Sequence, residues 1–238
     1  MSSHRQPLNV LHLKAYPIFQ QLQLEEALLR TDDGNWCLIN EGSPPAIVIG
    51  ISGKQEHLIN EELLRQRPIP IIRRFSGGGC VFIDERTIFS TLICHGKAVD
   101  IPRFPQQVLR WSGELYRHAL QGLDFSVQEN DYVIGDRKFG GNAQYFRKDR
   151  WLHHSSLLWD FDVKNMQYLQ IPQHMPHYRN KREHKDFLCR LCDFLSSQQL
   201  FVQHFLQSLS KHFVCRDVVV EEAQISLRKT HRKSTKCC

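Results

Sequence analysis

Arg73-Arg74-Phe75-Ser76-Gly77-Gly78-Gly79-Cys80-Val81-Phe82-Ile83-Asp84 sets two arginines and three consecutive glycines ahead of a short apolar run. Glycine has no Cβ, so such a loop can take left-handed angles and bring its N–H groups close to an anion or a flat ligand. Arginine beside it supplies a permanent charge and a planar fork of donors suited to phosphate or carboxylate oxygens. Ile71-Ile72 reads as the strand that delivers the arginines, Val81-Phe82-Ile83 as the strand that leaves the loop, and Thr87 to Cys94 as its partner. The loop therefore belongs at a sheet edge or mouth. A Gly-rich hairpin turn with surface arginines has the same local composition, so the loop by itself does not fix the chemistry.

Gly135-Asp136-Arg137-Lys138-Phe139-Gly140-Gly141-Asn142-Ala143-Gln144 is a second glycine-punctuated stretch. A turn at Arg147-Lys148-Asp149-Arg150 separates it from a strand, Trp151 to Trp159, that carries His153-His154. Neighbouring residues of a strand face opposite sides, so at most one of these histidines can face a shared site. In order and spacing, the Arg-Arg-x-Ser-Gly-Gly-Gly loop, the lysine-bearing hairpin and the His-His strand resemble the lipoate-protein ligase A family, within the wider group of biotin and lipoate protein ligases. The likeness runs from about Leu24 to about Leu195. Asn130-Asp131 also matches a family pair. One departure is that the family's usual loop continuation has His-Asp after the aromatic residue, where Ile83-Asp84 stands here.

The resemblance implies a ligase that turns lipoate, or octanoate, into an acyl-adenylate and passes it to a lysine of a lipoyl-domain protein. The acceptors implied are 2-oxoacid dehydrogenase E2 subunits and the glycine cleavage H protein. It implies ATP and Mg²⁺, with Arg74 contacting the nucleotide and Gly77, Gly78, Gly79, Cys80, Val81 and Phe82 lining it mainly through backbone groups. Lys138 matches the family lysine that touches both nucleotide and lipoate. Both half-reactions build negative charge on oxygen, and a fixed ammonium between carboxyl and α-phosphate would stabilise both, which makes Lys138 the catalytic candidate. Asp84, Asp131 and Asp136 are open alternatives as Mg²⁺ ligands. Cys80 has no general base beside it in sequence, so it is not read as a nucleophile.

Two rival readings share the fold. An octanoyl or lipoyl transferase would use a preformed acyl donor, and a non-catalytic binding protein would keep the site without the reaction. The longer ligases carry a C-terminal accessory domain, so an accessory partner protein is a further expectation.

The 238 residues fit one catalytic domain, 1–226, followed by a basic tail, 227–238, expected to be disordered. Five of the six net positive charges lie in that tail, so no nucleic-acid partner is expected of the body. Membrane contact is left to the tail, where Cys237-Cys238 beside lysines could accept a lipid. With no secretory leader and no long apolar run, the expected compartment is the cytoplasm and the eight cysteines are expected as reduced thiols. Cys189-x-x-Cys192 lacks a second metal-ligand pair and reads as structural.

Helical spacing marks Ile18 to Leu29, Pro105 to Leu120 and Gln199 to Phe213, and Asn60 is placed to cap a short helix through Arg65. Short strands are expected at Trp36 to Asn40, Ala46 to Ser52, Phe125 to Gln128, Asp131 to Ile134 and Val218 to Val220. The alternation suits an α+β fold, one mixed, largely antiparallel sheet flanked by helices. The resemblance implies the same, the fold of class II aminoacyl-tRNA synthetase and biotin ligase catalytic domains.

Overall fold

A computed structural model describes residues 5–173 and 175–238. In chain order the strands are β1 (Gln6–Lys14), β2 (Trp36–Glu41), β3 (Ala46–Ile49), β4 (Ile71–Arg73), β5 (Cys80–Ile83), β6 (Thr87–His95), β7 (Phe125–Gln128), β8 (Asp131–Ile134), β9 (Arg137–Phe146), β10 (Arg150–Leu158), β11 (Phe213–Val218) and β12 (Lys236–Cys237). The α-helices are α1 (Ile18–Thr31), α2 (Glu61–Gln66), α3 (Pro105–Arg117), α4 (Val163–Met166), α5 (His184–Phe187), α6 (Gln198–Ser210) and α7 (Val220–Gln224). Asn60 caps α2 as its sequence predicts, its side chain accepting from Leu63 N.

The α+β class holds, but the strands divide between two sheets. The larger runs β11-β1-β2-β6-β10-β9-β8-β7, parallel at β11-β1 and β1-β2 and antiparallel elsewhere. The smaller runs β12-β4-β3-β5. The break falls after β2, where Gly42 turns the chain at φ 88° and Pro44-Pro45 removes two ladder donors. β1, to which composition assigned no element, is interior to the larger sheet. Its Leu8 and Val10 pack on one face and Leu11 and Leu13 on the other, so it carries no polar face to betray it as a strand.

The parity of the strands decides where everything else goes. Cys37 and Ile39 of β2 and Trp151 and Leu157 of β10 join the face covered by α3 and α6. Trp36 and Leu38 of β2 and Leu152 of β10 join the face covered by α1 and α7. The smaller sheet packs Ala46, Val48, Ile72 and Ile83 against Ile18 and Leu22 of α1, and Ile47, Ile49, Ile71 and Phe82 against the α4–α5 region. Helix α1 is thereby shared between the two sheets.

Two expectations are corrected at the C-terminal end. The sequence pattern puts the last strand at Val218 to Val220, but β11 stops at Val218 and Val220 begins α7. The tail 227–238, expected to be disordered, is ordered. Ser234 and Thr235 donate their backbone N–H groups to the Glu26 carboxylate at 2.9–3.0 Å, and β12 pairs with β4 as Lys236↔Arg73 and Cys237↔Ile72. Burial pushes the Glu26 carboxyl up, but those N–H donors and Arg30 outweigh it and hold the group below its usual range. A buried carboxylate in need of donors is what fastens the tail.

Candidate active site

A cavity of about 500 Å³ opens where the α1 face of the larger sheet meets the smaller one. One stretch of its wall is apolar, built by Ile18, Leu22, Val48, Ile83 and Phe89. Another is polar, built by Asp131, Lys138, Asn142, Arg179 and His184. Gly78 and Gly79 of the glycine loop belong to the same wall.

The glycine loop is held by its own arginine. Arg74 is only 5 % exposed, and its Nε donates to Ser76 Oγ at 3.1 Å while its Nη2 donates to Gly77 O at 2.7 Å and Gly79 O at 3.1 Å. Burial pushes this guanidinium down to about 10. A Cβ on Gly78, whose φ is 99°, would stand 2.7 Å from Arg74 Nη2, and one on Gly50 would stand 2.2 Å from Gly78 O. The loop thus needs glycine both within itself and in the strand end beneath it. Arg73 turns away, donating to the carbonyls of Gly50, Ile51 and Gly53.

Of the loop residues singled out from sequence, Arg74, Gly78, Gly79, Cys80, Val81 and Phe82 line the cavity, as does Lys138, while Gly77 does not. Gly77 serves instead as the acceptor for Arg74. Cys80 is pushed up to about 12 by burial, with Arg74 only partly offsetting it, so the thiol stays protonated and is no nucleophile.

Lys138 reaches the cavity from β9, its Nζ 2.8 Å from Asp131 Oδ1 on β8. Tyr178 donates its hydroxyl to the other oxygen, Asp131 Oδ2, at 2.8 Å. Burial and that carboxylate push the Tyr178 phenol upward, so it remains a donor. A Cβ on Gly141 would lie 3.1 Å from Lys138 Nζ, so the glycine leaves the lysine room to lie along the strand. The ammonium is held at one point yet stays partly open, its side chain 23 % exposed.

The two histidines part as strand geometry requires. His154 shares the cavity wall, with Nδ1 3.0 Å from Glu25 Oε2 and Nε2 3.0 Å from Ser76 Oγ. The Glu25 carboxylate also accepts from Thr91 Oγ1 at 2.7 Å and Gln21 Nε2 at 2.8 Å. Together with the Arg74–Ser76 bond, these contacts tie the glycine loop to α1. His153 lies on the opposite face among Ser112, Tyr132, Ser155 and Gln144. Gln144 Nε2 can only donate, which makes Nδ1 of His153 the acceptor and leaves the proton on Nε2. Burial, assisted by His154, pushes His153 down to about 3.

Among the metal candidates only Asp131 lines the cavity. Asp84 is buried elsewhere, accepting from Arg86 N and Thr87 Oγ1, and Asp136 pairs with Arg182 outside. Glu129 stands beside Asp131 in the cavity wall. No group of three or more metal-type ligands forms among the described residues. One or two carboxylates still suit Mg²⁺, which takes its remaining ligands from water and phosphate. Cys189 is buried with its thiol on Arg137 O, whereas Cys192 is exposed.

Sequence reasoning missed Glu25, Thr91, Tyr178, Arg179 and His184. Gln21 and Glu25 did carry a signal, since they stand one turn apart on the face of α1 that also holds Ile18 and Leu22. The segment from Arg179 to Lys185 looked like a polar link, and nothing in its composition shows that Arg179 is only 4 % exposed.

A family model described as the lipoyl protein ligase A/B catalytic domain matches residues 17–214. The chain is similar to the inactive lipoate-protein ligase 2 of Plasmodium falciparum, with 26% identity across 87% of this chain and 71% of that protein. It is 29% identical to lipoate-protein ligase A of Blochmanniella floridana across 70% of this chain, and spans only 49% of that relative's length. Among solved structures, a lipoate-protein ligase A bound with ATP superposes with a TM-score of 0.76 at 19% identity, over 94% of this chain and 92% of that one. A bi-partite lipoate protein ligase from Thermoplasma acidophilum does so with 0.75 at 20% identity, over 94% and 91%. At these identities the structural likeness is one of fold.

Proposed function

The chain belongs to the lipoyl protein ligase A/B catalytic domain family, and on that basis we propose that it activates lipoate, or the related octanoate, with ATP and transfers the acyl group to a lysine of a lipoyl-domain protein. The observation that carries this reading is one cavity whose wall is apolar at Ile18, Leu22, Val48 and Phe89 and cationic at Lys138, with the glycine loop in the same wall. A medium-length acyl chain matches the first part and a carboxylate meeting a nucleotide phosphate matches the second.

In the first half-reaction a carboxylate oxygen attacks the α-phosphorus, and the bond to the bridging oxygen breaks as pyrophosphate leaves. In the second, the acceptor amine attacks the acyl carbon, the bond to the phosphate oxygen breaks, AMP leaves and the amine loses a proton. Lys138 would leave Asp131 for the developing charge in both steps, stabilising each electrostatically without giving up a proton. Arg74 fixes the carbonyls of Gly77 and Gly79, and loop N–H groups would then be available to the ligand's phosphate. Asp131 and Glu129 would hold Mg²⁺, which supplies charge neutralisation for the phosphates. The acceptors proposed are 2-oxoacid dehydrogenase E2 subunits and the glycine cleavage H protein.

Incubation with ATP, Mg²⁺, lipoate and a lipoyl-domain acceptor is expected to yield acyl-adenylate and a heavier acceptor by mass spectrometry. Transfer only from preformed lipoyl-adenylate would identify a transferase, or a ligase that needs an accessory protein. The Plasmodium relative named inactive favours a second reading, a binding protein that keeps the fold without turnover. Lipoate or nucleotide binding with no product from either donor would establish it.

A further inference from the structure

Arg179 is the cation in this cavity that has not been given a task. Its side chain lines the wall near Lys138 and Asp131, yet the residue is 4 % exposed and forms no ion pair among the described residues. Nε donates to Arg182 O at 3.0 Å, and Nη2 is buried with no acceptor among the described residues. Glu183 and Asp131 act on it only from beyond ion-pair distance, and a buried guanidinium without a direct carboxylate contact is costly to keep, so its retention needs a reason. The two other cavity cations are already engaged, Arg74 by the loop carbonyls and Lys138 by Asp131.

The segment around Arg179 is built to hold it inward. Asn180 and Lys181 come next in the chain with φ of 49° and 57°, a left-handed pair without glycine, which L-residues adopt at a cost. That reversal lets Arg182 return to the same turn, donating from Nε to Arg179 O, from Nη2 to Tyr178 O and to Asp136 O, and from Nη1 to Asp136 Oδ2. The Phe187 ring lies 4.7 Å from the Arg179 guanidinium carbon and supports its plane. His184, also in the cavity wall, is pushed down to about 4 by burial and by the nearby charges of Arg179 and Lys138. The carboxylates of this corner, Asp131 and Glu129, make no ion pair with Arg179 among the described residues, Asp131 being engaged by Lys138 and Tyr178.

We infer that Arg179 is a positioning residue for the terminal phosphates of the nucleotide, receiving the β- and γ-phosphates that depart as pyrophosphate. The planar fork fits two phosphate oxygens, which a lysine could not match. A dianionic group there would give the guanidinium a direct partner and leave Lys138 free for the α-phosphate. This assignment rests on the nucleotide-binding reading of the cavity.

The test is calorimetric titration of the full chain, in Mg²⁺ buffer, with ATP, AMP and inorganic pyrophosphate. Arg179→Gln is expected to weaken ATP and pyrophosphate at least tenfold while AMP changes less than twofold, and Arg179→Lys to recover only part of the loss. Unfolding curves of both variants report their folding, and Arg179→Lys keeps the charge if Arg179→Gln fails to fold. Equal losses for ATP and AMP, or full ATP affinity in a folded variant, would overturn the assignment while leaving the nucleotide reading in place. A wild-type chain that binds none of the three would remove the nucleotide reading itself, and this assignment with it.

Discussion

His153 and His154 are neighbours on one strand, and their surroundings show how differently the two faces of the larger sheet are used. On the α3–α6 face His153 is held neutral within a closed set of hydroxyl and amide partners, surrounded by the apolar core. On the α1 face His154 connects a buried glutamate to the glycine loop at the rim of a cavity. The first arrangement has every polar group satisfied within the protein. The second leaves donors unspent, on Lys138 and Arg179 above all. The sheet is therefore a divider, with polar groups paired within the protein on one side and polar groups lining a cavity on the other.

Substitutions should separate the faces. Lys138→Ala is expected to lower both adenylate formation and acyl transfer by about 10²–10³-fold, with the thermal midpoint unchanged, as checked by single-turnover assays of each half-reaction. A full-rate variant would remove Lys138 from the mechanism and break the contrast at its strongest point. Gly78→Ala should rank second, because it forces a side chain into a left-handed residue and against Arg74 Nη2. Nucleotide affinity is expected to fall by about tenfold, corresponding to roughly 1.4 kcal/mol, as titration calorimetry would show.

On the other face, His153→Phe should leave the turnover of folded protein intact while costing about 1–3 kcal/mol of stability, since Ser112, Tyr132 and Gln144 lose their shared partner. The sign of its pH dependence is fixed by linkage. The folded chain holds His153 at about 3, well below the ordinary histidine value of 6.5, so between those values the unfolded chain binds the extra proton. Its contribution is complete above pH 6.5 and is lost as pH falls toward 3, at about 1.4 kcal/mol per pH unit. Urea unfolding across that range should show a shallower acid slope in His153→Phe. The smallest effect is expected from deleting residues 234–238, which strips donors from Glu26 and uncovers the β4 edge. A loss of about 1–2 kcal/mol in the same urea assay is expected, and an unshifted midpoint would mean that the tail adds nothing to stability.

Much of the site was legible because its backbone geometry is written in residue type. Three adjacent glycines can be read as a loop that approaches a ligand, and Lys138 between glycines as a side chain with room to reach one. Strand parity separates His153 from His154 without any coordinate. The losses occurred where a residue's role depends on a partner distant in sequence. Glu25 acquires its function from Thr91 and His154, and Glu26, one residue on, from Ser234 and Thr235. The two acids are adjacent in sequence, yet one stands at the cavity and the other anchors the tail.

Local sequence was enough for the α+β class, the glycine loop and its arginines, the lysine hairpin and the opposed histidines, since each comes from nearby constraints of φ, side-chain period and charge. Long-range packing set the rest: the strands split into two sheets, β1 runs through the interior of the larger one, Asp131 rather than Asp84 or Asp136 faces the cavity, and Arg179 is drawn inside. Those outcomes depend on which distant segments meet, and burial and pairing between distant segments are not encoded in any single stretch of the chain.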